Sequence, residues 1–194
     1  MCWKCGTPAP GNVPDDKRHE VRCRRCDSEP FTAARACGAY DGALRASILA
    51  LKAEPHIATR LARLFFDTQQ RPPLHSATRI VPVPLHSERL RERGFNQAAV
   101  LGKALAELAN LPLDESSLAR TFHTARHRAA MDAQGRRDSV EGVFAARRPR
   151  LIENERILVI DDVFTSGATA SACARVLKDA GALEVFVLTI ARTV

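Results

Sequence analysis

The segment Arg156-Ile157-Leu158-Val159-Ile160-Asp161-Asp162-Val163-Phe164-Thr165-Ser166-Gly167-Ala168-Thr169 passes from an apolar run, through an acidic pair, to a small polar turn. A continuous apolar run without alternation is the pattern of a parallel strand covered on both faces. From Ala168 to about Ala180, Ala172, Val176 and Ala180 recur on one helical face, and Gly181 stands where a helix end is capped. Val185 to Ile190 is a second buried strand. The order strand, turn, helix, strand predicts an α/β fold with a parallel sheet flanked by helices. Ligands of such sheets bind beyond the carboxyl ends of the strands.

The turn carries its own chemistry. Thr165, Ser166, Gly167, Ala168 and Thr169 sit where strand becomes helix, so their amides and hydroxyls surround a helix N-terminus. Unpaired amides and the positive end of the helix dipole attract phosphate there, and Gly167 lets the backbone approach closely. Asp161 and Asp162, just before the turn, are placed to accept hydrogen bonds from vicinal hydroxyls of a sugar. An acidic pair alone, or a Thr-Ser-Gly helix cap alone, means little. Together they point to a sugar phosphate.

Toward the N-terminus, residues 35–40 read as a short strand or linker. Residues 42–53 and 56–68 read as two helices, with Leu44, Ile48 and Leu51, then Ile57, Leu61, Leu64 and Phe65 at helical spacing. Arg71-Pro72-Pro73 ends the second helix. Arg79 to Val83 is a strand closed by Pro82 and Pro84 and followed by an Arg-rich loop. Residues 95–110 form a helix on the sheet, with Phe95, Ala98, Leu101, Leu105 and Leu108 along one broad stripe. Leu118 to Phe122 is another strand, and the polar segment His123–Arg137 reads as a mobile loop.

Four of the six cysteines form two pairs, Cys2-x-x-Cys5 and Cys23-x-x-Cys26, around an insert of 17 residues that holds Gly6, Pro8, Pro10, Gly11 and Pro14. Two such knuckles place four thiolates around one tetrahedral Zn²⁺, a closed structural site with no open catalytic position. Two disulfides, or a thioredoxin-type redox pair, are the rivals. The first suits an oxidising compartment, and the second needs a strand before and a helix after the motif. Lys4, Arg22, Arg24 and Arg25 adjoin the thiols in sequence and offset their charge. His19 reads as a surface residue and Cys173 as a small core residue. The organisation expected is a zinc-ribbon module over residues 1–36 and an α/β domain over 37–194.

Composition bounds the function. The chain has 194 residues, 45% of them hydrophobic, with Lys+Arg 29 against Asp+Glu 22 and a net charge of +7. That hydrophobic content excludes a disordered or collagen-like chain. No apolar run approaches the roughly 18 residues that span a bilayer, and Met1–Pro10 lacks a signal peptide's apolar stretch, so a cytoplasmic location is expected. Of the basic residues, 24 are Arg and five are Lys. Arg grips phosphates with paired hydrogen bonds, whereas 5% aromatics is thin material for stacking nucleic-acid bases.

Ile157 to Thr169 resembles the thirteen-residue signature of type I phosphoribosyltransferases, which bind phosphoribosyl pyrophosphate (PRPP) with Mg²⁺. Val81-Pro82-Val83-Pro84-Leu85-His86 and Arg89-Leu90-Arg91-Glu92-Arg93-Gly94-Phe95-Asn96-Gln97 look like the hallmark of the ComF family, as does the four-cysteine ribbon ahead of them. Ala50-Leu51-Lys52 resembles that family's Leu-Lys element. The resemblance implies that Asp161 and Asp162 contact the ribose hydroxyls, while Val163, Thr165, Ser166, Gly167, Ala168 and Thr169 hold the 5-phosphate. Arg89, Arg91, Arg93 and the Gly94 amide would stabilise the pyrophosphate leaving group, so that Asp161, Asp162 and Arg93 form the catalytic set.

The same resemblance makes His123–Arg137 a lid over PRPP, with Thr124 and Arg136 or Arg137 retained. It has His127 and Ser139 near positions where the family pattern has Gln and Asn. The expected function is phosphoribosyl transfer to an unidentified acceptor, in natural competence, DNA uptake or nucleotide salvage. The alternative is a non-catalytic PRPP sensor that binds single-stranded DNA and the competence machinery.

Overall fold

Ile157 and Val159 face one hydrophobic cluster and Leu158 and Ile160 the other, so the strand they form lies inside the molecule with a layer on each side. The computed structural model describes residues 1–8, 15–26, 28–121 and 142–193. Among these, the strands are β1 (Ala33–Ala39), β2 (Arg79–Pro82), β3 (Leu118–Arg120), β4 (Phe144–Ala146), β5 (Arg156–Phe164) and β6 (Glu184–Arg192). The α-helices are α1 (Gly42–Ala53), α2 (Thr59–Gln69), α3 (Ser87–Arg93), α4 (Gln97–Ala109) and α5 (Ala168–Asp179).

The main sheet has the order β1-β6-β5-β2, and all its pairings are parallel. β3 and β4 form a separate antiparallel pair. On one face of the main sheet, Cys173, Ala174 and Leu177 of α5 pack against Ile157, Val159, Val185 and Val187. On the other, Ile48 and Leu51 of α1, Leu61 and Phe65 of α2, and Leu101 and Leu105 of α4 cover Ile80, Leu158, Phe186 and Leu188. The expected parallel α/β sheet between helices is thus what forms, with the four-cysteine cluster in the N-terminal part of the chain.

Several boundaries differ from the sequence pattern for identifiable reasons. β5 does not stop at Ile160; its pairing with β6 carries it through the acidic pair to Phe164. α2 begins at Thr59 because Ala58 remains extended as its N-cap. The expected Arg-rich loop after β2 is α3: Ser87-Glu88-Arg89-Leu90-Arg91-Glu92-Arg93 contains no helix breaker, and His86 Nδ1 accepts from the Glu88 amide at 3.2 Å. β1 runs from Ala33, so the division at residue 36 falls inside a strand of the main sheet. Its small residues let a helix close on it: a Cβ on Gly38 would stand 2.7 Å from Leu44 Cδ1 of α1. β4 has no counterpart in the sequence pattern. Phe122, the His123–Arg137 segment with Thr124, Arg126, His127, Arg128, Arg136 and Arg137, and Ser139 lie outside the described residues.

One polar side chain ties the second strand to its following helix. Asn96 caps α4 by accepting from the Ala98 amide at 3.0 Å, and its Nδ2 donates to the Val83 carbonyl at 3.0 Å. Asn96→Ala removes the cap and the strand contact together. It is expected to lower stability by about 1–2 kcal/mol, read from the midpoint of urea denaturation with an unchanged slope.

Candidate functional site

The end of β5 and the start of α5 make the turn that the sequence marks. Gly167 is the N-cap of α5 at φ 85° and ψ −3°, a left-handed conformation that a side chain disfavours. A Cβ there would also meet Phe164 Cζ at 3.0 Å. The Ser171 amide closes the first helical bond onto the Gly167 carbonyl at 2.8 Å. The Ala168 amide donates to Ser166 Oγ at 3.4 Å, a weak local contact. Thr165 and Ser166 are exposed. Amides ahead of the Ser171 bond belong to a helix N-terminus and have no partner in the helical ladder, which is the arrangement that receives an anion.

A small cleft opens at this turn, lined by Val83, Asp161, Val163, Thr165, Gly167 and Thr169 among others. Val83 follows β2, so the cleft lies at the carboxyl ends of two neighbouring parallel strands, as the fold dictates. The structure therefore brings Asp161 together with the turn. Asp162 is engaged elsewhere: its Oδ2 lies 3.1 Å from Lys52 Nζ at the end of α1.

The two carboxylates thus have different surroundings. Burial, reinforced by the charge of Asp162, pushes the Asp161 carboxyl up to about 7, against the opposing effects of the Asp162 amide and Lys52. That amide donates to Asp161 Oδ1 at 2.8 Å. The buried Cys173 thiol on α5 is held well above its usual range by burial, with the charge of Asp161 adding to the effect. Burial thus favours the neutral form of Asp161 beside an Asp162 that is ion-paired with Lys52, and a neutral carboxyl next to a carboxylate is able both to donate to and to accept from a diol.

The arginines nominated for pyrophosphate do not line this cleft. Arg89 and Arg91 are exposed on α3, and Arg93 is half-buried in its last turn. Gly94 ends that helix at φ 81°. Lys52 is the residue that sequence spacing did not nominate as part of the site. It stands at the end of an ordinary amphipathic helix, and only its place in the Leu-Lys element hinted at a role.

The second cluster is the four cysteines. Sγ atoms are separated by 3.4 Å for Cys2 and Cys26, 3.5 Å for Cys5 and Cys23, and 3.3 Å for Cys23 and Cys26. All four lie within 4.8 Å of one another, and all six cysteines of the chain are free. Thiolates at about 2.3 Å from a tetrahedral Zn²⁺ stand roughly 3.8 Å apart, so a small relaxation of this cluster receives the ion. Burial raises the Cys2 thiol, but hydrogen bonds from the Cys5, Cys23 and Lys4 backbone and from Cys26 bring it down to about 6. Burial and the neighbouring thiols raise Cys23 and Cys26. A divalent cation favours the thiolate form and so opposes the burial that raises Cys23 and Cys26.

Two cations beyond the expected ones frame the cluster. Arg22 is exposed and donates to the His19 and Val21 carbonyls, and Arg24 and His19 are exposed. Arg35 of β1 donates to the Trp3 carbonyl at 2.7 Å with its guanidinium 5.1 Å from the Trp3 ring centroid. Arg192 of β6 donates to the Cys5 carbonyl and to Thr7 Oγ1. Arg35 follows Cys26 by nine residues, whereas Arg192 lies 187 residues from Cys5 and is delivered by the pairing of β6 with β1.

No protein-family model matches the chain. It is 28% identical to the DNA utilization protein YhgH of Escherichia coli, across 100% of this chain and 84% of that relative. Competence protein F of Haemophilus influenzae is 31% identical over 68% of this chain and 59% of its own length. Competence protein ComFC of Bacillus subtilis is 32% identical over 53% of this chain and 39% of its own length. Among solved structures, glutamine phosphoribosylpyrophosphate amidotransferase from Bacillus subtilis overlaps 71% of this chain with a TM-score of 0.45 and 20% identity. This chain spans 26% of that structure.

Each cluster yields an expectation. Elemental analysis of the purified chain should find about one zinc per molecule, and Cys23→Ser or Cys26→Ser should lower zinc retention against a chelator. For Asp161, the folded pKa lies above the unfolded value of 3.8. Its contribution to stability is therefore fully present below about pH 4 and is lost as pH rises through about 7. Asp161→Asn should accordingly stabilise the chain at pH 8, by on the order of 1–3 kcal/mol, with little gain at pH 4; denaturation at the two pH values measures the difference.

Proposed function

Since the chain is a homologue of the ComF family of competence proteins, we propose that it binds PRPP with Mg²⁺ and transfers the phosphoribosyl group to an acceptor. The observation that carries this function is the convergence of Asp161, Thr165, Gly167 and Thr169 on one cleft at the N-terminus of a twelve-residue helix. The 5-phosphate fits the amides and hydroxyls of residues 165–169, and the ribose hydroxyls fit Asp161, with Asp162 held beside it by Lys52. Arg89 and Arg93 of α3 would supply the charge for the pyrophosphate from outside the cleft, whereas the Gly94 amide, expected to share that role, is taken up by the Leu90 carbonyl at 2.8 Å. An acceptor nucleophile bonds to the anomeric carbon, the bond from that carbon to the pyrophosphate oxygen breaks, and pyrophosphate leaves with the electron pair. The acceptor then loses its proton. Positioning and charge stabilisation supply the rate in this scheme.

The cysteine cluster acts as a structural zinc ribbon in this function, and its reduced thiolates suit a cytoplasmic location. Among the described residues, no helix is long and apolar enough to cross a membrane. The names of the relatives, a DNA utilization protein and two competence proteins, together with the net charge of +7, favour work on acceptors derived from DNA. They also favour the second function, a PRPP sensor that holds single-stranded DNA through phosphate contacts. That binding would weaken steeply with added salt as counterions are released.

Isothermal titration with PRPP and Mg²⁺ tests the main proposal. Binding is expected for the parent chain and should weaken at least about tenfold in Asp161→Ala, an effect of about 1.4 kcal/mol. Absence of binding, or an affinity indifferent to that substitution, would overturn it.

A further inference from the structure

The cysteine cluster and the phosphate turn share a wall. One pocket is lined both by Cys5, Cys23 and Cys26 and by Thr165, Ser166 and Gly167. Three ties cross between them. Phe31 meets Phe164 edge to face, with centroids 6.1 Å apart and planes at 86°, and the Phe164 ring lies against Gly167. Arg192 donates to the Cys5 carbonyl and, at 2.8 Å, to Thr7 Oγ1, while its guanidinium stands 5.4 Å from the centroid of the same Phe164 ring. Glu29 accepts a hydrogen bond from Ser171 in the first turn of α5.

These ties begin on ribbon residues and end on the turn or its helix. A four-thiolate site needs none of them. The ribbon has little else to order it: its described segments contain two short 3₁₀ helices, Asp15–Glu20 and Arg24–Cys26. Four thiol groups without a cation are crowded at 3.3–3.5 Å, so a small module of this kind depends on its metal for folding. Losing the module would remove the acceptors of Arg192, the partner of Ser171 and one face of the Phe164 packing. Gly167 in its left-handed conformation would then keep only the unsupported Phe164 ring beside it.

We infer that the four-cysteine site holds the phosphate turn in place through Phe164 and Arg192 as positioning residues, so that metal occupancy and anion binding are linked. Linkage of this kind is reciprocal and is typically worth about 5- to 150-fold in affinity. The affinity arm rests on PRPP binding as proposed above, whereas the order of the turn can be measured without any ligand.

Hydrogen exchange on the full chain, zinc-loaded and chelator-stripped, tests the inference. The Ser171 amide, bonded to Gly167, and the Thr193 amide, bonded to the Phe164 carbonyl at 3.0 Å, report the turn; α4 serves as the reference. Exchange at Ser171 and Thr193 should rise at least about fivefold on stripping, with α4 unchanged. Unchanged protection at the turn in a chain that has lost its zinc would overturn the inference.

Should stripping unfold the whole chain, zinc-loaded Arg192→Met decides. Local deprotection of residues 164–173 at full zinc content is expected, with partial rescue by Arg192→Lys; wild-type protection in Arg192→Met overturns the inference. In the affinity arm, PRPP should slow zinc loss to a chelator in the parent chain and less so in Arg192→Met. If zinc-loaded parent chain binds no PRPP, the proposed function fails, and the exchange result still decides the linkage.

Discussion

Ile157 and Val159 enter one hydrophobic cluster while Leu158 and Ile160 enter the other, so β5 is stable only with a layer packed against each side. Fully burying such side chains is worth about 1.5–3 kcal/mol each, and that gain is lost on whichever face is left open. α5 covers one face; α1, α2 and α4 cover the other. Because the strands run parallel, each connection crosses a face of the sheet. The carboxyl ends of β2 and β5 are left side by side at one edge, where irregular backbone and polar side chains can reach water. The cleft is a consequence of that geometry.

The same edge concentrates the charged groups. Asp161 is driven toward its neutral form by burial, and Asp162 is paired with Lys52 from the opposite layer. Across the turn lie four thiols, with Arg192 drawn to the Cys5 carbonyl and Thr7 at their margin. Four thiolates around Zn²⁺ carry a net charge of about −2, which Arg35 and Arg192 partly offset. The basicity of the chain is therefore spent in specific places. Part frames the cysteine cluster, part lies along the exposed surface of α3, and neither requires a nucleic acid to explain it.

The cysteine module and the α/β sheet are one packed body where they meet. Cys2, Cys5, Cys26 and Phe31 belong to the same hydrophobic cluster as Val159, Phe164 and Cys173. β1, which leads out of the ribbon, pairs with β6. The glycine at position 167 is thus under two demands. Its positive φ starts α5, and its lack of a side chain lets Phe164 sit beneath it, where that ring also meets Phe31 and Arg192.

Much of this was legible in the residues. The unbroken apolar run at 156–160, the helix capped by Gly181, the Thr-Ser-Gly turn and the C-x-x-C pairs each express a local rule: burial on both faces, a terminus needing amide partners, and a metal needing four thiolates. Those rules hold wherever the segment lies in the molecule, so the sequence alone determined the parallel sheet, the position of the turn and which four cysteines come together. Which distant residue meets which was decided only by the tertiary structure. Lys52 reaches Asp162 because α1 packs on the sheet, and Arg192 reaches Cys5 because β6 lies between β1 and β5. The Arg89–Arg93 segment closed into a helix because His86 capped it and nothing within it broke the helix. Such pairings depend on contacts between positions as much as 187 residues apart, and no local pattern of hydrophobicity or spacing encodes them.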